Sequence, residues 1–235
     1  MPRHDQAGTA YAGESRTTSG LAPELPALER TDLLHRMMVL RRLAALSRPP
    51  RRPGTEAVVA GIGTALGPAD TLLIVGRRPL PVAVDPPPRT VSVQLARFAG
   101  PDRVCALFTR HHGRIRRTLT VEGWDVEAVA AAAAGAAQAV RAWDSTWMLT
   151  MVTGAGREHL DPIAALIARM RLDHQLDENA VAAIEFDARR VAGRLIRPTS
   201  RRRAGTDGEL SVLAATAVAL SPGPATPERA RRVRR

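Results

Sequence analysis

Apolar residues recur at helical spacing from Leu28 to Leu46: Leu33, Leu34, Met37, Met38, Leu40, Leu43 and Leu46, with arginines between them. That pattern predicts a first helix, and Thr31 or Asp32 is placed to cap it. Ser47–Pro53, SRPPRRP, breaks it, because proline has no amide to donate and clashes with the preceding turn. A second helix is expected from Gly54-Thr55-Glu56 to about Leu66, ended by Gly67-Pro68. Asp70 then leads into the apolar run Thr71–Val75. Leu80–Arg89 is proline-rich and reads as extended chain. Val91–Phe98 reads as a short helix, Asp102–Phe108 as a buried strand, and Thr109–Arg117 as a basic loop containing His111 and His112.

The clearest pattern runs from Thr118 to Val152. Thr118–Val121 alternates and is β-branched, as a strand end should be, and Glu122-Gly123 turns the chain. Asp125 stands where an N-cap belongs. From Asp125 to Trp143 there are ten alanines, one glycine and no proline, so helix propensity is high throughout. Thr146–Val152 supplies a second apolar run of strand length. Strand, helix and strand in this order predict a βαβ crossover and a parallel sheet, with an alanine helix thin enough to lie close against it. Further on, Asp161-Pro162-Ile163 opens a helix with proline in its first turn. Asp177 is placed to cap a last helix, Glu178–Arg197. No internal repeat is apparent.

Composition adds limits. The chain has 235 residues and a formal charge of +11, and every basic side chain among its 34 Lys+Arg is arginine. Phosphate-binding surfaces use both cations, so the charge total reads as coding bias and nucleic acid is not expected as a partner. Aromatics make up 3% of the chain, so the core must be built from Ala, Val and Leu. No apolar run reaches membrane-spanning length, and the polar start lacks the apolar core of a signal peptide. One cysteine, Cys105, excludes an internal disulfide and fits a reducing compartment, so a cytoplasmic location is expected. Residues 1–26 are expected to form a disordered leader, 27–197 an α/β domain, and 198–235 an Arg/Pro-rich, mostly disordered tail in which Leu210–Leu220 is apolar.

Several stretches also carry a resemblance. Val121-Glu122-Gly123-Trp124-Asp125-Val126-Glu127-Ala128-Val129 resembles the V-D-G-N-D-V-x-A-V passage of the α subunit of thiamine-diphosphate-dependent 2-oxo acid dehydrogenases, the E1 component of the pyruvate and branched-chain complexes. Leu34–Arg42, LHRMMVLRR, is similar to that family's opening helix, L-x-x-M-V-L-x-R. Gly54–Asp70 follows its G-Q-E-A-x-x-x-G helix and the aspartate before a short hydrophobic stretch. Asp161-Pro162-Ile163 matches its D-P-I, and Leu176-Asp177-Glu178 its later acidic turn. The order is preserved from about Leu28 to Arg197. The resemblance implies a reduced thiamine-diphosphate-binding-type α/β fold, with a mostly parallel sheet covered by helices. It also implies a partner, an E1 β-like subunit or a second copy, because the family's active sites lie between subunits.

The resemblance implies a cofactor chemistry that this chain does not carry in its usual form. In the family, Mg²⁺ holds the diphosphate through G-D-G, a later asparagine and a carbonyl, hard oxygen donors that suit the ion. After Cys105-Ala106-Leu107-Phe108, where G-D-G should begin, stands Thr109-Arg110-His111-His112. The single asparagine is Asn179, at the start of the last helix. No cofactor is therefore expected for this chain, although thiamine diphosphate and Mg serve the family. The family's Tyr-Arg pair, which contacts the cofactor phosphates, is replaced by Gly76-Arg77; Arg77, with Arg78 beside it, could still hold a phosphate. His159 stands where a remnant of the active-site histidine would fall. No metal ligand is assigned.

Other chemistries find little support in the residues. Cys105 with His111-His112 is a poor metal set, because adjacent histidines on a strand point to opposite faces. Gly61-Ile62-Gly63 lies inside a helix and lacks the strand that a dinucleotide fingerprint requires. Cys105, in an apolar strand, reads as an inert thiol, and Trp124 as a gap-filling or partner-facing ring. Three functions follow. The first is a catalytically degenerate E1 α-like subunit that assembles with a β-like partner. The second is an active decarboxylating dehydrogenase subunit whose site the partner completes. The third is a binding protein that uses its basic tail.

Overall fold

The computed structural model describes residues 16–17, 25–45, 55–67, 69–74, 90–97, 103–110, 114–143, 145–153 and 161–199. They form six strands, β1 (Arg16–Thr17), β2 (Thr71–Ile74), β3 (Ser92–Arg97), β4 (Arg103–Thr109), β5 (Ile115–Glu122) and β6 (Thr146–Val152). The helices are α1 (Ala27–Ala45), α2 (Thr55–Ala65), α3 (Val126–Trp143), α4 (Pro162–Leu172) and α5 (Glu178–Thr199). The class is α/β. The strands make one open sheet in the order β1-β5-β6-β4-β3-β2.

The βαβ unit forms as its sequence predicts. β5 and β6 are parallel neighbours, with Leu119 opposite Leu149 and Val121 opposite Met151, and α3 connects them. The alanines of α3 bring it onto the sheet: Ala133, Ala136, Ala137 and Val140 are fully buried, and the helix lies against β4, β5 and β6. Helix α2 packs on α3 in turn, and α1 contacts α2, α4 and α5. The core therefore continues from Leu149, Met151 and Phe108 of the sheet through α3 to Val58 and Ile62 of α2, then to Leu33, Leu34 and Met37 of α1.

The sheet is mostly parallel but mixed: β1–β5, β5–β6 and β2–β3 are parallel, and β4 runs antiparallel to both β3 and β6. Three expectations are corrected. The stretch expected as a short helix, Val91–Phe98, is strand β3 over Ser92–Arg97. It lies between two partner strands, and Val91 to Leu95 are all buried. Burial on both faces erases the alternation that marks a strand in sequence. Helix α1 begins at Ala27, ahead of the expected caps. The Thr31 hydroxyl donates back to the Ala27 carbonyl at 2.9 Å, and Asp32 pairs with Arg36 one turn on. Within the expected leader, Arg16–Thr17 pairs with Leu119 and Thr120 as β1.

The expected basic loop is shorter than Thr109–Arg117, because β4 runs through Thr109 and β5 starts at Ile115. Residues 111–113 lie outside the described residues, as do Leu80–Arg89 and the tail from 200 onward, Leu210–Leu220 included. No helix among the described residues is long and apolar enough to cross a membrane.

Candidate functional site

The turn between β5 and α3 is built by local chemistry. The Gly123 amide donates to the Val152 carbonyl at 2.8 Å, which ties the turn to the end of β6. A β-carbon on Gly123 would lie 2.8 Å from Thr153 Cγ2 and 3.1 Å from that same carbonyl, so a side chain does not fit. Asp125 caps α3: its Oδ1 accepts from the amides of Glu127 and Ala128, both at 3.1 Å. The Trp124 indole donates to Glu122 at 2.9 Å and is half-buried.

Below this turn lies a buried charge network. Glu127 is 4% exposed and Arg30 is 3% exposed. Arg30 Nε donates to Glu127 Oε1 at 2.6 Å, and Arg169 Nη1 donates to Glu127 Oε2. Arg30 Nη1 donates to Asp173 and, at 3.2 Å, to Gln175. Arg169 Nη2 also reaches Asp125 Oδ2 at 3.5 Å. Burial works against the positive charge on Arg30 and Arg169. The carboxylates outweigh it, Glu127 and Asp173 for Arg30, Glu127 and Asp125 for Arg169, and hold both guanidinium pKa values above their ordinary range. Both carboxylate oxygens of Glu127 accept from guanidinium groups, so the network locks α1, α3 and α4 together and offers no free acid or base.

Three further carboxylates, Asp161, Glu56 and Asp70, act in the same way. Arg41 holds Asp161 bidentately, with both N–O distances at 2.7 Å, and also donates to Glu56. Asp161 simultaneously caps α4 through Ile163 N at 2.9 Å. Its hydrogen bonds to Arg41 draw the Asp161 pKa below the usual carboxylate range, against the opposing effect of burial. The same hydrogen bonds push the Arg41 guanidinium up. Asp70 accepts from the Val91 amide at 2.8 Å, from the Gly67 amide at 2.7 Å and from Arg141 of α3. It therefore joins the end of α2, the entry to β3 and the last turn of α3.

The residues singled out in the sequence fall in scattered places. Arg77, Arg78, His111, His112 and His159 lie outside the described residues. Cys105 is buried in β4 with its sulfur 3.7 Å from the Thr150 hydroxyl, and burial pushes its thiol pKa up. Asn179 is exposed in the first turn of α5, beside the capping residue Asp177, which accepts from Ala180 N at 2.7 Å. Gly61 and Gly63 are buried within α2. The networks around Glu127, Arg41 and Asp70 were not foreseen, because their partners are distant in the chain, 97 residues apart for Arg30 and Glu127.

The strand end where a metal–diphosphate motif would begin has a different character. Thr109 at the end of β4 is buried, with its hydroxyl 3.3 Å from that of Thr146, and Arg110 follows. A hydroxyl already engaged and a guanidinium do not fit a magnesium ion, which requires free hard oxygen ligands. Because β4 is antiparallel to β6, this end lies beside the start of β6, at the opposite end of the strands from Glu122 and Val152. Among the described residues, no three of His, Cys, Asp and Glu come together as a group that could hold a metal ion. No protein-family model matches the chain, and no curated protein matches it.

Proposed function

We propose that this chain is a catalytically degenerate relative of the E1 α subunit of 2-oxo acid dehydrogenases, acting as a scaffold that assembles with a β-like partner subunit. One observation carries the reading. The acidic residues through which the chain resembles that family, Glu56, Asp70, Asp125 and Asp161, each cap a helix or bridge separate elements. They hold the helical stack, while the end of β4 presents Thr109 and Arg110 in place of metal-binding oxygens. The chain's use of these groups is architectural, and assembly is the function that architecture can serve without the cofactor.

Two measurements test this. Calorimetric titration of the purified chain with thiamine diphosphate and Mg²⁺ should give no binding heat; micromolar affinity overturns the degenerate reading. Co-expression with an E1 β-like subunit from the same genome should give a stable complex in sedimentation. A chain that sediments alone, with neither the β-like subunit nor a second copy, overturns the assembly reading.

A further inference from the structure

On the helices, Arg30, Arg36, Arg41, Arg42, Arg141, Arg169, Arg171, Arg189 and Arg190 each meet a carboxylate. Arg103 and Arg194 stand singly without one among the described residues, but at one end of the sheet four arginines without one come together, Arg110, Arg114, Arg116 and Arg117. Arg110 follows the end of β4, and the other three sit at the start of β5. Ile115 pairs with Thr146 and Arg117 with Trp147, and the register shifts between them, so Arg116 is the extra residue of an irregular strand. Arg114, Arg116 and Arg117 are exposed.

Two aromatic rings share this end of the sheet. Arg117 lies over the Trp147 ring, 5.3 Å from its centroid, in cation–π geometry. Trp143 ends α3, three positions before Thr146, and is 76% exposed, while Ile115, which pairs with Thr146, is 41% exposed. The Trp143 ring is thus open to a stacking partner. Excess positive charge beside a free aromatic face is the combination that binds a single-stranded nucleic acid: arginines follow the phosphates and the ring stacks a base. The small apolar area, essentially Trp143 and Ile115, favours a polyanion over a protein surface, whose interface core would be more apolar.

We infer that the end of the sheet formed by Arg110, Arg114, Arg116, Arg117 and Trp143 binds single-stranded nucleic acid, with Trp143 stacking on a base. The total charge gave no reason to expect this; the clustering of arginines without a carboxylate among the described residues, beside an exposed indole, does. The inference is independent of the proposed scaffold role, since the patch lies at the opposite end of the strands from the turn between β5 and α3.

The test uses the full chain with fluorescein-labelled dT20 and, in a parallel arm, rU20, at 50 mM salt. Micromolar binding by at least one strand, with quenching of tryptophan fluorescence, is expected, and the tighter strand identifies DNA or RNA. Trp143→Ala should weaken binding about tenfold, within the range for loss of one stacked base, and abolish the quenching. Arg114→Ser with Arg116→Ser should weaken it further and reduce the salt slope by about 1.4, roughly 0.7 per lost phosphate contact. Arg114→Lys with Arg116→Lys should retain it. All these side chains are exposed, so the fold should tolerate the changes, and circular dichroism checks that. Absence of binding to both strands, or binding unchanged by the Trp143 and Arg variants, overturns the inference. So does a twenty-residue polyglutamate that displaces dT20 at equal concentration, which would assign the patch to an acidic protein.

Discussion

Arg30 and Glu127 are 97 residues apart in the chain and 2.6 Å apart in space, and both are almost entirely shielded from water. The pair joins the first turns of α1 and α3, and Arg169 of α4 closes it from the other side. Three helices thus share one carboxylate. Removing it leaves the buried Arg30 with only Asp173 and Gln175, and Arg169 with only Asp125 at 3.5 Å.

Glu127→Ala should therefore destabilise the fold by about 3–5 kcal/mol, the range for breaking a buried ion pair from one side. Glu127→Gln, which keeps an acceptor oxygen, should cost less. Urea unfolding followed by circular dichroism measures both. If the two variants are as stable as the parent chain, the network does not hold the helices together.

Gly61 controls how closely α2 and α3 approach. A β-carbon there would lie 2.8 Å from Val129 Cγ1 and 3.0 Å from the Ala130 amide nitrogen. Gly61→Ala should cost about 1–3 kcal/mol through overpacking, despite alanine's better helix propensity. Combined with Val129→Ala, which removes the nearer methyl, part of that loss should return, so thermal midpoints of the double variant will depart from additivity.

His174 follows α4 with φ of 55°, a left-handed conformation that glycine adopts freely and L side chains resist. The Gln175 amide closes the helix end by donating to Met170 O at 2.8 Å. His174→Gly should stabilise the protein by about 1 kcal/mol. His174→Val should do the opposite. A melting temperature that rises with valine would contradict the backbone argument.

Asp161 makes the fold acid-sensitive. Its folded pKa is held below its unfolded value near 3.9 by hydrogen bonds to Arg41, which outweigh burial. A depressed carboxylate contributes fully above its unfolded pKa, and that contribution disappears as pH falls through the folded value. Asp161→Asn should therefore lose about 1 kcal/mol or less at pH 7, where the pair is partly exposed, and show a shallower decline below pH 4 than the parent. Glu185 and Asp187, also held low by their arginine partners, leave part of the decline in place. Equal slopes in parent and variant would show that Arg41 does not favour the ionised Asp161.

The sequence by itself determined the elements whose signals are local. Asp125 and Asp177 cap α3 and α5 where their positions predict, because a capping side chain acts within three residues, and α4 starts at Pro162 as its proline predicts. The alanine run made α3 a thin helix, and the flanking runs made β5 and β6 parallel neighbours. Of the candidate site, that Thr109 and Arg110 follow Phe108 was legible, because it is a matter of residue type. Only the tertiary structure decided that Ser92–Arg97 is a strand, since pairing on both sides and the burial of Ser92 to Leu95 on both faces leave no period to read. It alone set the direction of β4, which depends on which strands accept its hydrogen bonds. It also decided which arginines are neutralised: Arg30 finds Glu127 and Arg41 finds Asp161, while those of β5 find no carboxylate among the described residues. Charge pairing across 97 or 120 residues is set by packing, and no local pattern encodes it.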